Sequence, residues 1–395
     1  MEFELYTILR LIWWLLLGVL LIGFAIMDGF DLGVASMLHY VGRKDSERRV
    51  VINTIGPVWE GNQVWFLLGG GAIFAAFAPL YALSFTGFYT AMMLIIFALI
   101  LRPVGFKFRS KINNPKWRAT WDFGLFLGGL IPALVAGVAV GNVILGVPFG
   151  ISPEDSSRLL YDYKLGNLFY LLFNPNGFFI FTLLTGLTSV TMCLMQGGNY
   201  LALKTEGVIS QRAATAGRFG NIVALALFVL CGLLIATVIK GYTVDPENMR
   251  RLSQLPSMQW GFVDTERKAG AWMANYSRYP LFLLPPILAI LGMASSYLFN
   301  KREAFGKAFV ASSVAIFGII STVGTAIFPF LLPSSTNPKD SLTIWNASNS
   351  EGTLFVMTIC ALIFVPIVLA YTSWVYYELR GKVTEKEILS DGQSY

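Results

Sequence analysis

Apolar runs of about 20 residues recur along this chain, and no other feature narrows the choice of folds so far. A helix of ~20 apolar residues crosses a hydrocarbon core of ~30 Å with every backbone polar group satisfied inside the segment. Nine such spans are expected, near 9–33, 54–78, 80–102, 122–145, 174–200, 219–240, 280–299, 308–331 and 354–377. Charged residues make up 13% of the 395 and hydrophobic ones 55%, at a mean hydropathy of +0.63, whereas a soluble domain carries about 25% charged residues. The expectation is an all-α integral membrane protein, a single polytopic domain over 1–395 with a polar tail at 378–395. No internal repeat stands out. The first run follows Glu2 and Glu4 and has no small-residue cleavage site, so it is expected to remain in the membrane.

The loops set an orientation. Of the 29 Lys and Arg residues, 19 fall on the side that holds 34–53, 102–121, 201–218, 300–307 and the tail, and six of the other ten sit in one long loop. By the positive-inside rule the N-terminus is periplasmic and the C-terminus cytoplasmic. The net charge of +6 then records topology, and nucleic-acid binding is set aside. Pro79 predicts a tight turn between the second and third spans. Arg102-Pro103 predicts the end of the third, opening a basic, lipid-facing loop. The stretch 241–279, with Pro246, Pro256 and Trp260, reads as an external loop with little helical period, and the tail from Glu378 as free.

Three acids lie where a membrane rejects charge. Asp28 and Asp31 are three residues apart and share one helix face, and Glu60 opens the next span beside Asn62 and Gln63. A carboxylate inside a span costs roughly 2.5–3.5 kcal/mol on insertion scales and marks an ion or proton path by default. The plain alternative is a set of helix-interface salt bridges with Arg48, Arg49 or Arg102. A proton-coupled secondary transporter would also use intramembrane acids, though paired broken helices and an inverted repeat are not evident.

Other chemistry is missing. His39 is the single histidine, so a bis-histidine haem site, a copper site or a two-histidine metal triad cannot be built from this chain alone. Cys193, Cys231 and Cys360 stand singly in apolar runs and read as small buried hydrophobes. No phosphate loop, dinucleotide fingerprint or nucleophile elbow occurs, and Gly69-Gly70-Gly71 reads as helix packing. Trp13, Trp14, Trp117 and Trp121 read as interfacial belts. Trp59 and Trp65 flank Glu60 and are the tryptophans placed to touch a cofactor in a partner subunit.

A set of motifs then resembles a known family. Ile12-Trp13-Trp14-Leu15-Leu16, Asp28-Gly29-Phe30-Asp31, Glu47-Arg48-Arg49, Trp59-Glu60-Gly61-Asn62-Gln63-Val64-Trp65, Arg102-Pro103-Val104-Gly105-Phe106 and Pro333-Ser334-Ser335-Thr336 are similar to subunit II of the cytochrome bd ubiquinol oxidase. The similarity runs over nearly the whole chain. It implies a nine-helix subunit of a bacterial inner-membrane quinol:oxygen oxidoreductase. This chain would ligate no cofactor; haems b and d and the quinol-oxidising loop belong to subunit I, its heterodimer partner. Small single-span accessory subunits and a bound quinone are compatible with it. The resemblance further implies a cytoplasmic proton pathway through Asp31, Glu60 and Arg102, with Asp28 assisting, or else a purely structural partner. The chain departs from the family pattern in carrying Glu60 where the pattern has Asp, and Val58 where some members have His.

Overall fold

The computed structural model describes residues 5–151, 159–161, 163–254 and 263–390. Among these residues, nine helices have 18 residues or more. They are α1 (Leu5–Ser36), α3 (Trp59–Ala76), α4 (Tyr89–Phe108), α5 (Pro115–Leu145), α6 (Phe181–Lys204), α7 (Gly207–Thr237), α8 (Leu284–Lys301), α9 (Phe305–Ile327) and α10 (Glu351–Glu378); a shorter α2 (Asp45–Ile55) follows α1, and α11 (Glu385–Ser390) ends the described chain. Each of the nine overlaps one expected span, and seven are long and apolar enough to cross a membrane by length and composition. The other two are diluted by polar residues and glycines: α3 by Glu60, Asn62, Gln63 and four glycines, and α6 by threonines, glycines, Gln196 and Asn199, most of which are buried.

Close backbone approach sets the centre of the bundle. A Cβ on Gly33 of α1 would lie 1.9 Å from the Cys193 carbonyl oxygen of α6, and one on Gly197 would lie 2.8 Å from the Phe30 carbonyl oxygen. Glycine at both positions lets α1 and α6 touch along their backbones, which is how membrane helices gain packing without a hydrophobic drive between them. The contact fixes the face of α1 that carries Asp28 and Asp31. In contrast, α10 leans mainly on α1 and α3 and exposes Phe355, Leu362, Phe364, Ile367 and Trp374.

Four expectations are corrected. Pro103 lies inside α4, which runs on to Phe108; a proline there loses a bond and costs about 3 kcal/mol, which is offset by the packing of Gly105 on Leu125 and by the ion pairs of Arg102. The expected third span is broken at Phe88, and Ala78–Gly87 forms a separate ten-residue helix. The described parts of the loop 241–279 form regular structure: Lys240–Val244 pairs antiparallel with Thr265–Ala269, Asp245 caps the helix Pro246–Ser253, and Gly241 packs on the buried Trp272. Pro256 and Trp260 lie outside the described residues. The tail is docked. The Lys204 ammonium donates to the carbonyls of Leu379 and Gly381, the Val383 N–H donates to the Lys204 carbonyl at 2.8 Å, and Ile388 of α11 is buried.

Trp13 likewise faces the protein interior. Its indole N–H donates to the Leu354 carbonyl and to Thr358 Oγ1, both at 3.0 Å, pinning α10 to α1.

Candidate functional site

Four of the long helices converge on Asp28 and Asp31. Both carboxylates and the Arg102 guanidinium of α4 are 0% exposed. Arg102 grips Asp28 with two prongs, Nη2 at 2.8 Å from Oδ1 and Nη1 donating to Oδ2 at 3.1 Å, and stands 3.7 Å from Asp31 Oδ2. The Asn62 amide of α3 donates to Asp31 Oδ2 at 2.8 Å, and the Tyr376 hydroxyl of α10 donates to Asn62 Oδ1 at 2.7 Å. The string thus reads Tyr376, Asn62, Asp31, Arg102, Asp28. Asp28 Oδ1, Asp31 Oδ1, Arg102 Nε and Arg102 Nη2 are buried without a hydrogen-bond partner, so the 2.8 Å prong is an ion pair. Two carboxylates against one guanidinium leave the cluster a negative charge in excess when both are ionised, a state that burial opposes. Such a cluster is chemically suited to taking up and releasing one proton.

Local sequence explains the convergence. The spacing of three puts Asp28 and Asp31 on one side of α1. Glycine at 128 lets α5 approach the guanidinium's stem, since a Cβ there would lie 2.9 Å from Arg102 Cγ. Trp59 is 5% exposed; Arg102 lies 5.8 Å from the centre of its ring, and Phe106 packs on it at 5.4 Å. Trp65 is half-buried and covers Gly23. Glu60 is not in the cluster. It is exposed on the first turn of α3, because two residues before Asn62 is about 200° around the helix.

Arg48 pairs elsewhere. Its Nη1 meets Asp122 Oδ2 at 2.8 Å, Arg109 Nε meets Asp122 Oδ1 at 2.5 Å, and Asp45 joins Arg109 and Arg118, each at 2.8 Å. This second polar cluster ties α2, α4 and α5 at the end away from Asp28, and its Asp45 and Arg48 side chains reach solvent. Asp122 is 0% exposed and sits in an apolar run; the argument that singles out Asp28 and Asp31 applies to it as well. Tyr376, 345 residues beyond Asp31, carries no comparable signal.

A family model described as cytochrome bd terminal oxidase subunit II matches residues 9–379. The chain belongs to that family. Among similar proteins, cytochrome bd-I ubiquinol oxidase subunit 2 of Escherichia coli (strain K12) is 43% identical over 383 residues, 97% of each chain. The probable cytochrome oxidase subunit 2 of Haemophilus influenzae is 44% identical over 96% of each. Cytochrome bd ubiquinol oxidase subunit 2 of Bacillus subtilis is 29% identical over 95% of this chain and 97% of its own. The solved structure of the bd oxidase from Geobacillus thermodenitrificans has a chain of like fold, with a TM-score of 0.62 at 11% identity over 96% of this chain and 99% of that one. As a bd oxidase subunit II the chain is part of a quinol oxidase complex, an oxidoreductase, and a multi-pass inner-membrane protein. The transporter reading falls away with this membership.

The family is named for haem, and the residues here do not fit a haem ligand set. His39 is exposed at the end of the short turn Leu38–Val41, packed edge-on to Phe126. Among the described residues no three His, Cys, Asp or Glu side chains gather as metal ligands.

Proposed function

We propose that this chain conducts protons from the cytoplasm toward the haem-bearing subunit I, its heterodimer partner, with Asp31 as the carrier. The observation that carries this reading is the excess carboxylate: Asp31 is fully buried and lies 3.7 Å from an arginine that is already paired at 2.8 Å with Asp28. Arg102 and Asp28 hold the site in shape, and Asn62 orients the Asp31 carboxylate. Glu60, on the outward face of α3, is the next carboxylate in line and stands where subunit I would receive the proton; Glu in place of Asp keeps the charge and adds reach. Trp65 is the tryptophan in position to touch the partner, since Trp59 is packed inward. All nine long helices cross the bilayer in this reading, with the N-terminus periplasmic and the C-terminus cytoplasmic. A bound quinone or single-span accessory subunits would meet the exposed apolar flanks.

A structural role is favoured for Asp28 alone, by its two-pronged pair with Arg102. The test is quinol-driven oxygen consumption by the detergent-purified complex with Asp31→Asn or Glu60→Gln beside the parent. Slowed turnover with an unchanged haem spectrum is expected. Unchanged turnover in both would leave this chain a scaffold, and lost haems would assign the acids to assembly.

A further inference from the structure

The two polar clusters share elements, and the side chains that face the space between them from α1, α2, α4 and α5 are apolar, while α6 brings in the Tyr200 hydroxyl, which donates to the Thr54 carbonyl at 2.9 Å. Along α1 and the turn after it, Asp31 is followed by Val34 and Leu38; along α4, Phe106 stands between Arg102 and Arg109; along α2, Val51 and Ile52 follow Arg48. Helix α5 runs the opposite way, so Leu125 lies between Asp122 and the Gly128 that touches Arg102. Seven residues of helix put the two arginines of α4 about 10 Å apart along the axis. These side chains surround a cavity of about 10 Å³ whose lining residues are all apolar. That is the space of about one water, and a water buried there would lack the two to four polar partners that hold one in place. The lining thus disfavours a resident water, and none of the side chains that line the cavity can carry a proton across it.

We propose that this layer is a wetting gate. Protons reach the cluster of Asp45, Arg48, Arg109 and Asp122 from cytoplasmic water, and pass to Asp31 only while a thread of water briefly fills the cavity. One proton leaves the water thread and adds to the Asp31 carboxylate; no bond other than O–H is made or broken. Apolar constrictions in channels gate by the same loss of water. The wetting of this layer, and not the carboxylates beyond it, sets the rate of proton uptake through the chain. The gate rests on the reading of Asp31 as the carrier.

Stopped-flow proton uptake by the purified complex, followed with a pH indicator after an oxygen pulse to the quinol-reduced enzyme, tests it. Val51→Thr adds a hydroxyl at nearly constant volume and gives the threading water a partner; Val51→Ile fills the cavity. Uptake should quicken in the first by about two- to tenfold, the rate equivalent of one hydrogen bond, and slow in the second, with haem absorbance unchanged in both. Should Val51→Ile lose its haems, Ile52→Thr supplies a second hydrating variant, expected to quicken uptake. Parent-like uptake in the hydrating and filling variants, beside an Asp31→Asn complex that fails to take up protons, overturns the gate and leaves the carrier. Uptake untouched in Asp31→Asn overturns the carrier itself.

Discussion

Replacing Arg102 by Leu leaves Asp28 and Asp31 buried beside each other, with the Asn62 amide still donating to Asp31. The guanidinium holds Asp28 at 2.8 and 3.1 Å and Asp31 at 3.7 Å. Unit charges ~4 Å apart attract by about 4 kcal/mol at an effective dielectric of ~20. Removing one partner of a buried pair destabilises by about 3–5 kcal/mol, because the other charge is left behind. At about 2 °C per kcal/mol, that loss lowers the thermal midpoint of the complex by about 6–10 °C. The double variant Arg102→Leu, Asp28→Asn removes both members of the two-pronged pair and leaves Asp31 on Asn62. It should regain more than half of the lost midpoint, a coupling of the size seen for contacting residues. Bleaching of haem absorbance at one fixed heating rate reads this, the rate being held because unfolding of such complexes is irreversible. A double variant that melts no higher than Arg102→Leu would mean that Asp28 is not the anchoring carboxylate, and the division of roles between the two acids would be wrong.

Glu47 at the start of α2 accepts from the N–H groups of Arg43 and Lys44 at 2.8 and 3.1 Å and pairs with Arg212 at 2.9 Å. Burial pushes its carboxyl up, yet these bonds together outweigh burial and hold it below its ordinary 4.5. A lowered folded value gives stability that is present above the unfolded value and lost as pH falls through the folded one. Amide protection over 43–48, taken relative to the intrinsic exchange rate at each pH, should therefore fall below about pH 4.5, and Glu47→Gln should show the lowered protection at neutral pH; equal profiles would remove Glu47 from the cap. Lys204→Met removes the donor to Leu379 and Gly381, so tryptic cleavage at Arg380 or Lys382 should quicken by about tenfold or more, the worth of a charge-assisted bond. An unchanged cleavage rate would mean that the burial of Ile388 alone holds the tail.

The spans were readable from sequence because length and hydropathy report the membrane directly, and the acids because a charge in an apolar run is conspicuous. Asp122 was less conspicuous, since it lay at the boundary of its expected span, where interfacial charge is ordinary, and its burial on Arg109 emerges only from the fold. What the pattern could not carry is which way a polar side chain turns. Asn62 and Glu60 are two residues apart on one helix, and one is buried on Asp31 while the other faces out. Proline at 103 is a local stop signal overridden by packing between α4 and α5. The docked tail depends on a lysine 175 residues upstream of the carbonyl it caps, a pairing that no local period records.

Trp13 secures one end of α10 and Lys204 the other, while the flank between them has little of its own chain to rest on. It is also the last of the nine long helices to leave the ribosome. The chain can thus complete its own insertion with this helix latched at both ends and uncovered along its length. A partner arriving later meets a surface whose position is already set and whose middle can still adjust to it, so that assembly of the complex need not wait on, or undo, the folding of its parts.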